Sequence, residues 1–413
     1  GLSLTTHMLH YFIGNLGHLF VIGSFVTALI TSFAYWRAAG TKNLALQNEW
    51  LQNGRVAFIL HSLLVLGIVA TLFSIIYNHY FEYHYAYAHS SLHLPGQYMV
   101  SCFWEGQEGS FLLWLFWQAI LGLIIMRAKG IWEAPVMTIF ALVQAFLASM
   151  ILGVVIPGLD IKLGSSPFVL LRDAMDDPIF KLQPDFIPKD GNGLNALLQN
   201  YWMVIHPPTL FLGFALTLVP FSYAMAGLWQ RKYVEWIKPA LSWTLVGGAI
   251  LGLGILMGGY WAYETLSFGG YWNWDPVENA VYVPWLILIA SLHTLITYRT
   301  SKSGLSFSII LVISTFILIL YSTFLARSGI LGDASVHSFT DLGLSGQLLV
   351  YLLFFAAVAA WLVAIRWKEI PTSEKEINTY SREFWIFLGA TILCLMGFQV
   401  MVPTSYPVYN KVV

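Results

Sequence analysis

Charge is scarce in this 413-residue chain: Asp, Glu, Lys and Arg make up 10% of it, against about 25% in soluble domains. Hydrophobic residues make up 58%, and the mean hydropathy is +0.69. A chain this apolar is excluded from the water-soluble globular class, and a bilayer is the solvent that suits it. Cysteine is almost missing as well. Cys102 and Cys394 lie far apart and in no CxxC pattern, so both read as packing residues, and any thiol redox chemistry must come from another protein. A net charge of −1 offers nucleic acid no basic surface. Internal repeats and low-complexity linkers are also lacking, so the chain reads as one membrane domain, 1–413.

What is present is a series of apolar runs near 20 residues. They predict about ten membrane helices, at roughly 9–35, 57–77, 111–127, 135–156, 209–228, 240–259, 281–298, 307–326, 346–366 and 383–402. The first is too long for a cleaved signal peptide and reads as a span. The expected fold class is therefore all-α, a polytopic transmembrane helical bundle.

Orientation follows from the basic residues in alternate connections. One set holds Arg37, Lys42, Arg55, Arg127, Lys129, Arg231, Lys232, Lys238, Arg299, Lys302, Arg366, Lys368, Lys375 and Arg382, fourteen in all. The other holds Lys162, Arg172, Lys181, Lys189, Arg327 and Lys411, six in all. The first set belongs in the cytoplasm, with both termini outside. The outside connections are then 78–110, 157–208, 260–280 and 327–345, and the unusual composition lies in them. Residues 157–208, rich in Asp, Pro and Asn, read as a small extracytoplasmic lobe.

The connection at 260–280 is the most informative. It contains Tyr260, Trp261 and Tyr263, then Gly269-Gly270-Tyr271-Trp272-Asn273-Trp274-Asp275-Pro276-Val277-Glu278-Asn279-Ala280. Scattered Trp and Tyr anchor helix ends at a membrane interface. Three of each within Tyr260–Trp274 exceed what a belt requires. Glycines such as Gly270 let backbone approach a flat object closely, and the rings supply it with an apolar face. Asp275, Pro276 and Glu278 fit the N-cap, N1 and N3 positions of an acidic capping box opening the next span. For Glu278 capping is the main expected task; Asp275 can both cap and shape the rim of a site.

Histidines supply the second line. In Val204-Ile205-His206-Pro207-Pro208 the prolines are expected to force His206 out of helical geometry and start the following span. His337 lies in the next outside connection, in Arg327-Ser328-Gly329 … Ser335-Val336-His337-Ser338-Phe339. A lone loop histidine is usually a surface residue, but two flanking an aromatic platform suggest axial ligands to a haem iron. Arg327 suits a bidentate contact with a haem propionate, or an interfacial snorkel. His293, inside a predicted span, is a functional candidate by default. His61 is a second intramembrane candidate, with an interhelical hydrogen bond as the alternative for either.

At these residues the chain resembles the CcmF-type haem lyase subunits of cytochrome c maturation, in the haem-handling superfamily with CcmC and CcsA. The shared residues are GGYWNWDPVENA, HPP at His206, WEGQEGSFLLW at Trp104–Trp114, PWL…H ending at His293, and RSG…SVHSF. In order, they cover about residues 10 to 400. The resemblance implies that His206 and His337 ligate incoming haem outside while Trp261, Trp272, Trp274, Tyr271 and Gly270 hold its face. It implies that His293 ligates a resident haem b. It further implies receipt of haem from the chaperone CcmE and, with CcmH- or CcmI-like partners, its attachment to the cysteines of a CxxCH apocytochrome c. Catalysis would be by positioning, with a quinol-reduced haem b as an electron source.

One element of the pattern is missing. The family carries a second intramembrane histidine well downstream of the SVH motif, and no histidine follows His337. Three accounts stand: the chain is the front of a longer or split protein, a C-terminal companion chain supplies the ligand, or His61 does. Two other functional classes share some of these features. A CcmC-type delivery protein would hand over haem without ligation, and would lack the Gln107-Glu108-Gly109 stretch. A quinone-linked redox carrier should show charged residues within several spans.

Overall fold

The computed structural model describes residues 2–335, 337–339, 342–373 and 380–413; Lys375, counted above among the cytoplasmic basic residues, lies outside the described residues. Their helices are α1 (Leu2–Gly40), α2 (Leu44–Tyr77), α3 (His84–His89), α4 (Gly96–Glu105), α5 (Gln107–Ala128), α6 (Glu133–Ser149), α7 (Leu171–Ala174), α8 (Pro178–Leu182), α9 (Tyr201–Trp229), α10 (Ile237–Thr265), α11 (Pro276–Ser301), α12 (Leu305–Arg327), α13 (Ser345–Arg366), α14 (Arg382–Thr404) and α15 (Tyr406–Val412). A two-stranded antiparallel hairpin, β1 (Val154–Ile156) with β2 (Ile161–Leu163), is the one sheet among the described residues. The chain is a helical integral membrane protein: among the described residues nine helices are long and apolar enough to cross a bilayer.

Nine of the ten predicted spans fall on those long helices. The predicted span 135–156 falls instead on a shorter apolar helix, α6, which stops at Ser149 after 17 residues, at the lower end of the length that crosses a bilayer. Residues 150–153 turn the chain, Gly153 with a left-handed backbone, φ 65°, and residues 154–156 pair as β1 instead.

The residues pack as two compact units, Gly1–Ile124 with Ala141–Pro208, and Ile125–Phe140 with Thr209–Val413. In the first, α1 and α2 lie along each other. Asn43 starts α2 by accepting hydrogen bonds from the amides of Ala45 and Leu46, and Phe58, Val65, Ile68 and Leu72 of α2 are fully buried. Extramembrane segments of this unit carry the short helices α3, α4, α7 and α8 and the hairpin. The expected lobe 157–208 ends earlier than predicted, because its last eight residues are already the start of α9.

In the second unit α11 packs against α10, α12 and α14, and α12 against α13. Val283, Ile287 and Ala290 of α11, Leu311 of α12 and Ala390 of α14 form a buried apolar cluster there. The start of α11 is fixed as its sequence requires. The Asp275 carboxylate accepts from the Val277 amide at 2.9 Å, and Glu278 Oε1 accepts from the Asp275 amide at 3.1 Å, so the capping box is complete.

Candidate functional site

The aromatic segment between α10 and α11 is shorter as a loop than its sequence suggests. Tyr260, Trp261 and Tyr263 belong to the last turns of α10, and the irregular stretch is 266–275. Gly259 makes the return possible, because a Cβ there would sit 3.2 Å from the Tyr271 carbonyl oxygen, so the loop backbone lies against the helix. Tyr271 stacks on Tyr263 with ring centres 4.4 Å apart and meets Tyr260 edge-on at 5.3 Å. Gly270 lies beside the Phe268 ring, where a Cβ would come to 3.3 Å.

Trp274 is 60% exposed and has φ 56°, a left-handed backbone unusual for so bulky a residue. Its ring meets Trp272 at 5.7 Å. Trp272 in turn meets Tyr282, which stacks toward Trp285 at 6.3 Å. Tyr282 and Trp285, not singled out from sequence, thus extend the platform along α11; their i, i+3 spacing after the loop was the available signal.

His337 faces this platform. Its ring lies 5.6 Å from the buried Trp261 ring, and its Nδ1 is 3.3 Å from Asp275 Oδ1. The same oxygen accepts from Ser335 Oγ at 2.5 Å, and Ser335 Oγ accepts from the His337 amide at 3.0 Å. Asp275 is therefore both helix cap and histidine partner. Burial pushes its carboxyl up, but the His337 and Ser335 hydrogen bonds, the His337 charge and the Val277 amide outweigh that and hold it below the ordinary carboxylate value. A carboxylate on Nδ1 fixes the imidazole's orientation and leaves Nε2 as the lone pair for a metal. Ser335 was missed from sequence; its place two residues before His337 was the clue.

Arg327 ends α12 and is 3% exposed, so it does not snorkel. Its guanidinium lies 4.6 Å over the Phe339 ring and 5.6 Å from that of Phe211, a cation–π arrangement. The Phe339 amide donates to the Ala326 carbonyl at 2.9 Å, which ties the ring down beside Arg327.

His206 belongs to the first unit, half-buried, and it is helical. The expectation that Pro207 and Pro208 exclude it from the helix is corrected. The prolines cost hydrogen bonds because they have no N–H, and other donors take over. Trp104 Nε1 at 2.9 Å and Ser101 Oγ at 3.3 Å donate to the Met203 carbonyl, which Pro207 leaves without its helical donor; separately, Trp117 Nε1 donates to the Pro208 carbonyl at 2.9 Å.

The two intramembrane histidines differ. His61 is fully buried, its Nδ1 donating to the Ser24 carbonyl at 2.7 Å and its Nε2 accepting from Gln144 Nε2 at 3.0 Å; Gln144 also binds Gln118. Both nitrogens are engaged, as in the interhelical hydrogen-bond reading. His293 is exposed on α11, with Nδ1 2.7 Å from the Ile289 carbonyl, which leaves Nε2 facing outward. Its unit holds one other histidine, His337, already set against Asp275. Within this unit, therefore, no histidine other than His337 accompanies His293.

Residues 104–331 match the family described as Cytochrome C assembly protein, more than half of the chain. The chain belongs to the Cytochrome C assembly protein family. The match runs from Trp104 through His206, the tryptophan loop and His293 to just past Arg327, and stops short of His337. The cytochrome c-type biogenesis protein CcmF of Pseudomonas aeruginosa is 33% identical over 96% of this chain and 57% of its own length. CcmF of Escherichia coli is 30% identical over 79% of this chain and 48% of its own. A solved structure titled Cytochrome c Heme Lyase CcmF shares the fold, with a TM-score of 0.72 at 22% identity, over 97% of this chain and 57% of that one. This member of the assembly family thus spans about half the length of the curated relatives it matches.

Proposed function

We propose that the chain holds haem on the non-cytoplasmic face of its membrane for covalent attachment to a CxxCH apocytochrome c, as part of a cytochrome c haem lyase. The observation that carries this reading is the Asp275–His337 pair against Trp261 at the edge of the tryptophan platform. An oriented imidazole supplies an iron ligand, and the rings supply the apolar face on which a porphyrin rests. His206, on α9, is assigned as the second external ligand, and Arg327 as a propionate partner. The chemistry balances without a protein nucleophile: each cysteine thiol adds across a haem vinyl, sulfur bonding to one carbon and hydrogen to the other. The protein's part is to fix the vinyl near the thiol and exclude water, which is catalysis by positioning.

Outside orientation, with both termini on that side, rests on the fourteen-to-six distribution of basic residues. The partners assigned are the haem chaperone CcmE, CcmH- or CcmI-like proteins that present apocytochrome c, and membrane lipids. A resident haem b at His293 needs a ligand from a companion segment, and quinol as its reductant belongs to the same arrangement.

The test is haem titration of purified protein with ferric protoporphyrin IX. A low-spin bis-histidine spectrum should depend on His206 and His337. A double alanine variant that kept all its haem, and still supported cytochrome c assembly, would sink the proposal. Separately, His293→Ala should remove any second, tightly held haem and spare the external one.

A further inference from the structure

His206 sits one residue before two prolines in a continuous helix, and a proline pair there leaves backbone acceptors without their helical donors. The residue that would normally donate to the Met203 carbonyl is four positions on, at 207, and Pro207 has no N–H. An unpaired carbonyl away from water is costly. Two side chains of α4 supply the missing donors: the Trp104 indole at 2.9 Å and the Ser101 hydroxyl at 3.3 Å. Beyond the histidine, the Trp117 indole of α5 donates to the Pro208 carbonyl at 2.9 Å. The turn carrying His206 is thus held from both sides by indole N–H groups. All of these residues lie in one compact unit.

We infer that Trp104 is a positioning residue for haem ligation: its N–H replaces the hydrogen bond that Pro207 removes and so sets the rotation and depth at which α9 presents the His206 imidazole. The α4 helix that bears it lies in an extramembrane segment and ends at Glu105, just before Gly106 breaks to extended backbone and α5 begins. Trp104 therefore transmits the position of that break to the histidine. Ser101, with the longer contact, is the weaker of the two donors. The role rests on the assignment of His206 as a haem ligand.

The experiment uses the whole chain and ferric protoporphyrin IX, read by Soret titration and by the low-spin fraction of the bound haem. Trp104→Phe keeps the ring and loses the donor. It should weaken haem binding roughly 3- to 10-fold, the worth of one neutral hydrogen bond, and convert part of the haem to high spin. Added imidazole should restore the low-spin spectrum. Pro207→Ala returns a backbone N–H to the Met203 carbonyl, so Trp104→Phe in that background should cause no further loss. An equal loss in both backgrounds, or none in either, overturns the positioning role while leaving the ligand assignment standing. If His206→Ala itself leaves the spectrum and affinity unchanged, the ligand assignment fails and the positioning role fails with it.

Discussion

Replacing Asp275 by asparagine isolates the charge that faces His337. Asparagine caps a helix about as well as aspartate, and its Oδ1 can still accept from the Val277 amide and the Ser335 hydroxyl, now at 2.9 and 2.5 Å. What disappears is the carboxylate 3.3 Å from His337 Nδ1. A carboxylate in that role is worth 10- to 100-fold in metal affinity, about 1.4–2.7 kcal/mol. We therefore predict that Asp275→Asn weakens haem binding by at least tenfold in a Soret titration at neutral pH while costing the fold only a few tenths of a kcal/mol. Asp275→Ala should show the same loss of affinity plus a fall in thermal stability of about 1 kcal/mol from the lost cap. In a His337→Ala background the asparagine substitution should have no further effect, because its partner is gone. Affinity within twofold of the parent, or an undiminished effect without His337, refutes the carboxylate–imidazole reasoning.

Three other predictions follow from the geometry. The Asp275 carboxyl is depressed in the folded state, so its stabilising contribution is complete above the ordinary carboxylate value of about 3.9 and is lost as pH falls through the folded one. The stability advantage of the parent over Asp275→Asn should shrink as pH falls below about 4; an advantage that persists undiminished in stronger acid would show that the carboxylate does not supply it. His61→Leu strips Gln144 of a buried partner and should destabilise the detergent-solubilised protein by about 1–3 kcal/mol. Its external haem spectrum should be unchanged, and loss of that spectrum would return His61 to the ligand set. Gly109→Ala should prevent folding, since its Cβ would fall 1.6 Å from the Phe103 carbonyl oxygen and 2.2 Å from the Tyr85 hydroxyl. Gly346→Ala, with nothing within 4 Å, should be neutral or slightly stabilising, as thermal melts of the two variants will show.

The parts of the fold legible in the sequence are those with a strong local rule. Hydropathy over some 20 residues located the long helices, and the Asp275-Pro276-Val277-Glu278 run predicted a cap that the structure contains to the atom. The short helices α3, α4, α7 and α8 escaped because a helix of four to ten residues carries no comparable periodicity. The tryptophan loop begins later than its composition suggests, because aromatic residues at a helix end look like loop in sequence, whereas Tyr260–Glu264 still satisfy the helical hydrogen bonds of α10. His206 shows a subtler limit. The rule that proline breaks helices was applied within the chain's own neighbourhood, and the donors that repair the break come from residues about a hundred positions earlier. The pairing of His337 with Asp275 was likewise invisible, since no local pattern links positions sixty apart.

Asp275 Oδ1 is a junction of three groups: the Val277 amide in the first turn of a membrane helix and a serine hydroxyl of the following connection both donate to it, and the imidazole of the candidate ligand stands 3.3 Å away. Removing any one of them leaves the other two with a changed anchor, so the cap of α11 and the aim of the imidazole depend on one oxygen. For the same reason the tryptophan loop is not a portable cassette: grafted elsewhere without α11 beneath it and Ser335 and His337 beside it, it would keep its rings and lose its aim.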